Sequence, residues 1–348
     1  MRRMVFGRFA AAVAALGVSF VLAGSAAAAP ANSYTVHPLV STAMDASLVN
    51  AWGLVAGPTT PWWVADNGTG VATLYDGAGV KVPLTVNTAT AAPTGTVFNL
   101  AGTGFPIASG TKSGSPRFLF DGEDGVISGW NPNVSADAQP GVTDGGAVFK
   151  GLTYALTPIG AMLYATDFAR GRVAVYGSGW TSVSTPGGFA DDSLPADYAP
   201  FGIQAIGNRI FVTFVPREPG ATDEEAGQGH GIVDAFSLDG WLLGRVAQHG
   251  QLNAPWGLAV APSTFGRFAG DLLVGNFGDG TINAYEELAN GRFEHRGQLR
   301  SADGGPVTID GLWALEFGQS ARSGGTDTLF FTAGPDDETA GLFGSITP

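Results

Sequence analysis

The side chains of this chain best suited to chemistry are oxygen donors set at the ends of short apolar runs. Asp66 and Asn67 follow Trp63-Val64-Ala65, Asp121 follows Phe118-Leu119-Phe120, Asp167 follows Tyr164-Ala165-Thr166, and Asn276 follows Leu273-Val274-Gly275. Asp336 and Asp337 follow Phe331-Thr332-Ala333-Gly334-Pro335, while Asn50, Lys150, Asn253 and Asp310 stand just ahead of other apolar runs. Carboxylate and amide oxygens brought together suit Ca²⁺ or another hard divalent cation. The same residues also cap strands and form Asx turns, which is the competing structural use.

A second group lies between Pro216 and Gly231, where Asp223, Glu224, Glu225 and His230 could ligate a metal or supply acid–base groups. A mobile acidic insertion explains the same composition, and shortening such a loop would leave stability unchanged. Other catalytic signatures are absent: there is no Gly-x-Ser-x-Gly elbow, no His-Glu-x-x-His pair and no phosphate loop. The four histidines, His37, His230, His249 and His295, are scattered, and the lack of cysteine removes disulfides, thiolate sites and cysteine nucleophiles.

What must position these groups is a repeat. Asn50-Ala51-Trp52-Gly53-Leu54 with Trp63-Val64-Ala65-Asp66-Asn67-Gly68 returns as Asn253-Ala254-Pro255-Trp256-Gly257-Leu258 with Leu273-Val274-Gly275-Asn276-Phe277-Gly278. Four weaker copies begin near Phe98, Gly151, Phe201 and Gly311. Each copy alternates in period two or runs through β-branched and aromatic residues between Gly, Asp, Asn and Pro, which reads as strand and turn. Six such units predict an all-β, six-bladed β-propeller with blades near 42–90, 91–140, 146–190, 198–248, 252–300 and 307–348. A glycine near the start of the first strand in five units fits crowding at the axis. The last unit has three obvious strands, so Tyr34 to Val40 is expected to supply the fourth and close the ring. Trp52, Trp256 and Trp313 are expected to pack rather than to stack on a ligand.

In a propeller, the loop entering the innermost strand and the loop joining the second and third strands share a face. That rule gathers Asn50, Lys150, Asn253 and Asp310 at one channel mouth, with Asp66, Asn67, Asp121, Asp167, Asn276, Asp336, Asp337 and the long loop around it. Asn50, Asn253 and Asp310 are the candidate cation ligands.

Arg2, Arg3 and Arg8, an apolar run from Phe9 to Ala23 and four alanines before Pro30 mark residues 1–29 as a secretory signal peptide, with a faint twin-arginine character. Secretion into the periplasm or medium is expected, with no stable membrane insertion. Only 14% of residues are charged and the net charge is −13, which disfavours a nucleic-acid partner.

The phrases from Asn50 to Tyr75, from Asn253 to Tyr285, and from Asp310-Gly311-Leu312-Trp313 to Gly341-Leu342-Phe343-Gly344-Ser345 resemble an exported bacterial family of unassigned function with NHL-like six-bladed propellers. Some members end in a PEP-CTERM sorting tail; this sequence ends at Pro348 without one, so surface anchoring is not expected. The resemblance implies a fold and an export route and no catalytic residues. The expected function is a secreted binding or scaffold propeller holding a protein, peptide or glycan on the mouth face, with or without a divalent cation. The alternative is a metal-assisted hydrolase of lactonase type with a channel-mouth cation.

Overall fold

The computed structural model describes residues 31–348; the expected signal peptide falls outside the described residues. Six sheets surround an axis. The first blade is Ala51–Ala56, Trp62–Asp66, Val71–Tyr75 and Lys81–Asn87, and the fifth repeats it with Pro255–Val260, Leu272–Asn276, Ile282–Glu287 and Phe293–Gln298. The fourth runs through Tyr198–Ile206, Arg209–Pro216, Ile232–Ser237 and Leu242–Gln248. In the second, a small hairpin of Ile107–Ser109 and Lys112–Gly114 is inserted between the first two strands. The last blade completes the ring as expected: Thr35–Ser41 pairs antiparallel with Leu342–Thr347, from Thr35 opposite Thr347 to Ser41 opposite Leu342. Pro38 fits there because an outermost strand needs no ladder N–H on its solvent side.

The third blade differs from the four-stranded expectation, having three strands, Phe149–Thr157, Gly160–Asp167 and Arg172–Gly177. Its outer place is reduced to one bridge between Tyr176 and Ser182. Beyond Gly177 the chain reads through Gly179, Pro186, Gly187 and Gly188, too poor in strand formers to continue the ladder.

All six inner strands carry a β-bulge at the same depth, between Ala51 and Leu54, Pro93 and Thr96, Phe149 and Leu152, Pro200 and Ile203, Pro255 and Gly257, and Leu312 and Leu315. A bulge re-aims side chains and sharpens twist. Here it turns Trp52, Lys150, Phe201, Trp256 and Trp313 toward the axis and brings the neighbouring backbones close. A Cβ on Gly53 would lie 2.4 Å from Thr94 O, and one on Gly202 would lie 2.2 Å from Trp256 O. Glycine is required at both because the obstacle is the next blade's main chain. Side-chain hydroxyls tie the same junctions, Thr94 donating to Phe149 O at 2.8 Å and Thr166 to Phe201 O at 2.7 Å.

The core follows from this arrangement. Six apolar clusters lie between successive blades, for example Trp63, Leu74 and Val86 of the first against Phe118, Phe120 and Trp130 of the second. A seventh, with Trp52, Phe168, Phe201 and Trp313, lies on the axis. Each fully buried large side chain contributes about 1.5–3 kcal/mol, so the blade junctions carry the fold.

Candidate functional site

At the mouth that the sequence points to, the axis is filled. Trp52 stacks on Trp313 with ring centroids 3.7 Å apart, Phe277 covers the other side of Trp313 at 4.0 Å, and Trp256 packs edge-on to both tryptophans. These tryptophans pack together, as expected. On this aromatic plug sits Lys150, 2% exposed, with Nζ 5.3 Å from the Trp52 ring and 5.7 Å from Phe168.

The Lys150 ammonium donates to Glu123 Oε1 at 2.6 Å and Asp223 Oδ1 at 3.2 Å, and lies 3.8 Å from Glu224 Oε2. From Glu123 a chain of bonds continues outward. Asn67 Nδ2 donates to Glu123 Oε2 at 3.1 Å, and Asn50 Nδ2 donates to Asn67 Oδ1 at 3.2 Å and to Glu338 Oε2 at 2.6 Å. Asn50 Oδ1 accepts from Trp313 Nε1 at 2.8 Å. Asp336, Asp337 and Glu338 all hold positive φ, 57°, 51° and 64°, an uncommon run for non-glycine residues that sets Glu338 against Asn50.

Burial works against the charge on Lys150, but Glu224, Glu123 and Asp223 outweigh it and hold the pKa above the ordinary lysine value. Burial pushes Glu224 up to about 7, with Lys150 opposing, and raises Glu338 as well. The positive charge at this mouth is thus the protein's own ammonium.

The long loop is a fitted lid. Gly227 N donates to Asn253 Oδ1 at 2.7 Å, Gly229 N to Leu252 O at 2.8 Å, and Ala254 N to His230 O at 2.8 Å. Asp223 and Glu224 reach Lys150, whereas Glu225 and His230 lie on the outer side, where His230 Nδ1 sits 3.0 Å from the Glu225 carbonyl.

The three candidate cation ligands do not share a partner. Asn50 is bonded as described, Asn253 bonds the lid and Asp279, and Asp310 Oδ2 accepts from Asp336 N at 3.1 Å. Among the described residues no three Asp, Glu or His side chains form a metal-ion ligand set. The remaining acids serve their own blades. Asp121 Oδ1 accepts from Thr94 Oγ1 and from Gly95 N at the bulge, with burial pushing its pKa up to about 7. Asp167 pairs with Arg170 and Arg172, each at 3.0 Å. Asn276 Nδ2 donates to Gln251 O and Asp279. Asp66 is buried well away from water, which raises its pKa far above the carboxylate range.

The opposite mouth is open, and sequence reasoning assigned nothing to it. Three cavities of about 280, 30 and 320 Å³ all include Gln204 and Glu316 in their walls, with Leu54, Thr96, Thr153 and Leu315 among the others. Gln319 Nε2 donates to Glu316 Oε1 at 2.7 Å. Enclosure in the funnel pushes Glu316 up to about 8, and no cation opposes the shift. The shift favours the protonated carboxyl, a form that can donate as well as accept. The signal for it was one acid inside the apolar run Leu312-Trp313-Ala314-Leu315-Glu316-Phe317.

No family model matches the chain. Two uncharacterised proteins of Acanthamoeba polyphaga mimivirus are similar to it. One is 33% identical over 316 residues, spanning 87% of this chain and 76% of the relative; the other is 32% identical over 322 residues, spanning 87% and 81%. The chain belongs to the family of these uncharacterised proteins. Virginiamycin B lyase from Staphylococcus aureus has a similar fold, with a TM-score of 0.51 over 91% of this chain and all of the lyase, at 13% identity. That likeness is one of fold and extends no further.

Proposed function

We propose that this propeller is a binding protein that takes an uncharged polar ligand, a peptide segment or a saccharide, into the open mouth of its channel. The observation that supports this is that Glu316, its carboxyl pushed up to about 8, and Gln204 line the same three cavities at this mouth, in a concave wall of mixed polar and apolar surface. A carboxyl group and a primary amide offer both donors and acceptors without net charge, which matches amide and hydroxyl groups. The lidded mouth, filled by its aromatic plug and Lys150, acts as the closed end. With residues 1–29 as an export signal, the ligand would be met outside the cytoplasm.

The lactonase-type hydrolase requires a cation held by Asn50, Asn253 and Asp310, and the separate bonds of these residues weigh against it. Ca²⁺ or Mg²⁺ titrated calorimetrically into EDTA-stripped protein should give the same heats for the parent and for Asn253→Ala/Asp310→Ala. A parent heat lost in the double variant would favour the hydrolase. The binding reading is tested on arrays of neutral peptides and glycans. Parent hits should disappear with Glu316→Ala and Gln204→Ala; hits indifferent to both would remove the open mouth as the site.

A further inference from the structure

A second cavity, about 580 Å³, opens between the first and second blades, within the size range of small-molecule sites. Beneath it lies the buried stacked pair Trp63 and Phe118, ring centroids 4.1 Å apart, with Trp130 4.8 Å from Trp63, which gives the groove a rigid base. Phe98 and Leu100 form the wall it shares with the open mouth.

The charge of this groove is opposite to that of the molecule. The chain carries −13 overall, yet the groove is lined by two guanidiniums, Arg117 and Arg322, and by no carboxylate. Neither arginine has an acidic partner among the described residues, a state they share with Arg217, Arg267, Arg292 and Arg300; what sets these two apart is that they line one cavity that holds no carboxylate. Both are held at the main chain. Arg117 N donates to Trp130 O at 2.7 Å, and Arg322 O accepts from Gly77 N at 2.8 Å, which leaves the side chains as the free parts. An unpaired guanidinium presents a fork of donors that suits a carboxylate or other oxyanion. An apolar wall beside two such forks selects an anion with an apolar body.

We infer that the groove between the first and second blades binds a small amphipathic anion, its apolar body against Phe98 and the exposed Leu100 and its carboxylate between Arg117 and Arg322. This site is separate from the one around Glu316, and the two assignments stand or fall independently.

The probes are 2-naphthoate and its uncharged counterpart 2-naphthalenemethanol, followed by tryptophan fluorescence and titration calorimetry. The parent should bind the acid about tenfold or more tightly than the alcohol, the worth of one charge-assisted contact. Arg117→Gln/Arg322→Gln should erase that preference and leave the melting temperature unchanged, since neither guanidinium has an ion pair to lose. Arg292→Gln, away from the groove, should keep it. Equal affinities in the parent, no binding of the acid, or a preference that survives the double substitution would overturn the assignment. Loss of peptide or glycan hits in Glu316→Ala with naphthoate binding intact would separate the two sites.

Discussion

Lys150 carries the chemistry of the lidded mouth. Its ammonium lies among Glu123, Asp223 and Glu224 at the mouth where a divalent cation was one of the readings of the sequence. Removing one partner of a buried pair costs about 3–5 kcal/mol because the other charges stay behind unpaired. Asp223 is exposed and shares little of this, so Lys150→Met should lower stability by about 3 kcal/mol, read from urea unfolding. A loss below about 1 kcal/mol would mean that the ion cluster only decorates a mouth held shut by its tryptophans. The sequence placed Lys150 at this mouth but could not assign its role, because the side chain's direction is set by a bulge and its partners Glu123, Asp223 and Glu224 come from other blades. Asn50 illustrates the same limit: its oxygen, apparently free for a metal, is taken by Trp313, 263 residues away.

At the scale of elements, the segment 216–231 was expected to be a tolerated insertion if mobile, but its backbone bonds to Asn253 and Leu252 and its Glu224 beneath the surface make it part of the closure. Deleting Thr222 to Gly229 should therefore lower the melting temperature by about 2–4 °C, the shift that a loss near 1 kcal/mol gives in a domain of this class. An unchanged midpoint would restore the insertion reading. The closing strand is a larger commitment. Removing residues 31–41 deletes the whole ladder from Thr35 to Ser41 and bares the edge of Leu342–Thr347; scanning calorimetry should show a sharp loss of stability, and a midpoint within a degree or two of the parent would contradict closure by this strand. Six units were legible because each repeats a turn, an apolar strand and an Asp or Asn. The missing outer strand of the third blade and the common bulge were not, since both depend on pairing between strands.

At the scale of the molecule, several buried carboxyls share one direction of shift. Burial raises Asp66, Asp121, Glu224 and Glu316, the last three to about 7, 7 and 8. Between the ordinary carboxylate range and those values the folded protein holds more protons than the unfolded chain, so stability falls as pH rises through that window. Asp45 and Asp191, whose hydrogen bonds and basic partners lower them despite some burial, act in the opposite sense in strong acid. The melting temperature should therefore be higher at pH 5 than at pH 8.5, and a protein more stable at pH 8.5 would show that these carboxyls are ionised in the fold.

On the proposed binding function, protonation of Glu316 would underlie ligand binding at the open mouth, and the most direct test follows the strongest array ligand by titration calorimetry at pH 6 and pH 9. Affinity should fall at pH 9 as Glu316 ionises, fall about tenfold or more in Glu316→Ala, the worth of a strong hydrogen bond lost from a partly enclosed site, and stay at the parent value in Glu224→Gln at the lid. Binding that is indifferent to Glu316 and lost with Glu224→Gln would put the ligand at the lidded mouth and contradict the account.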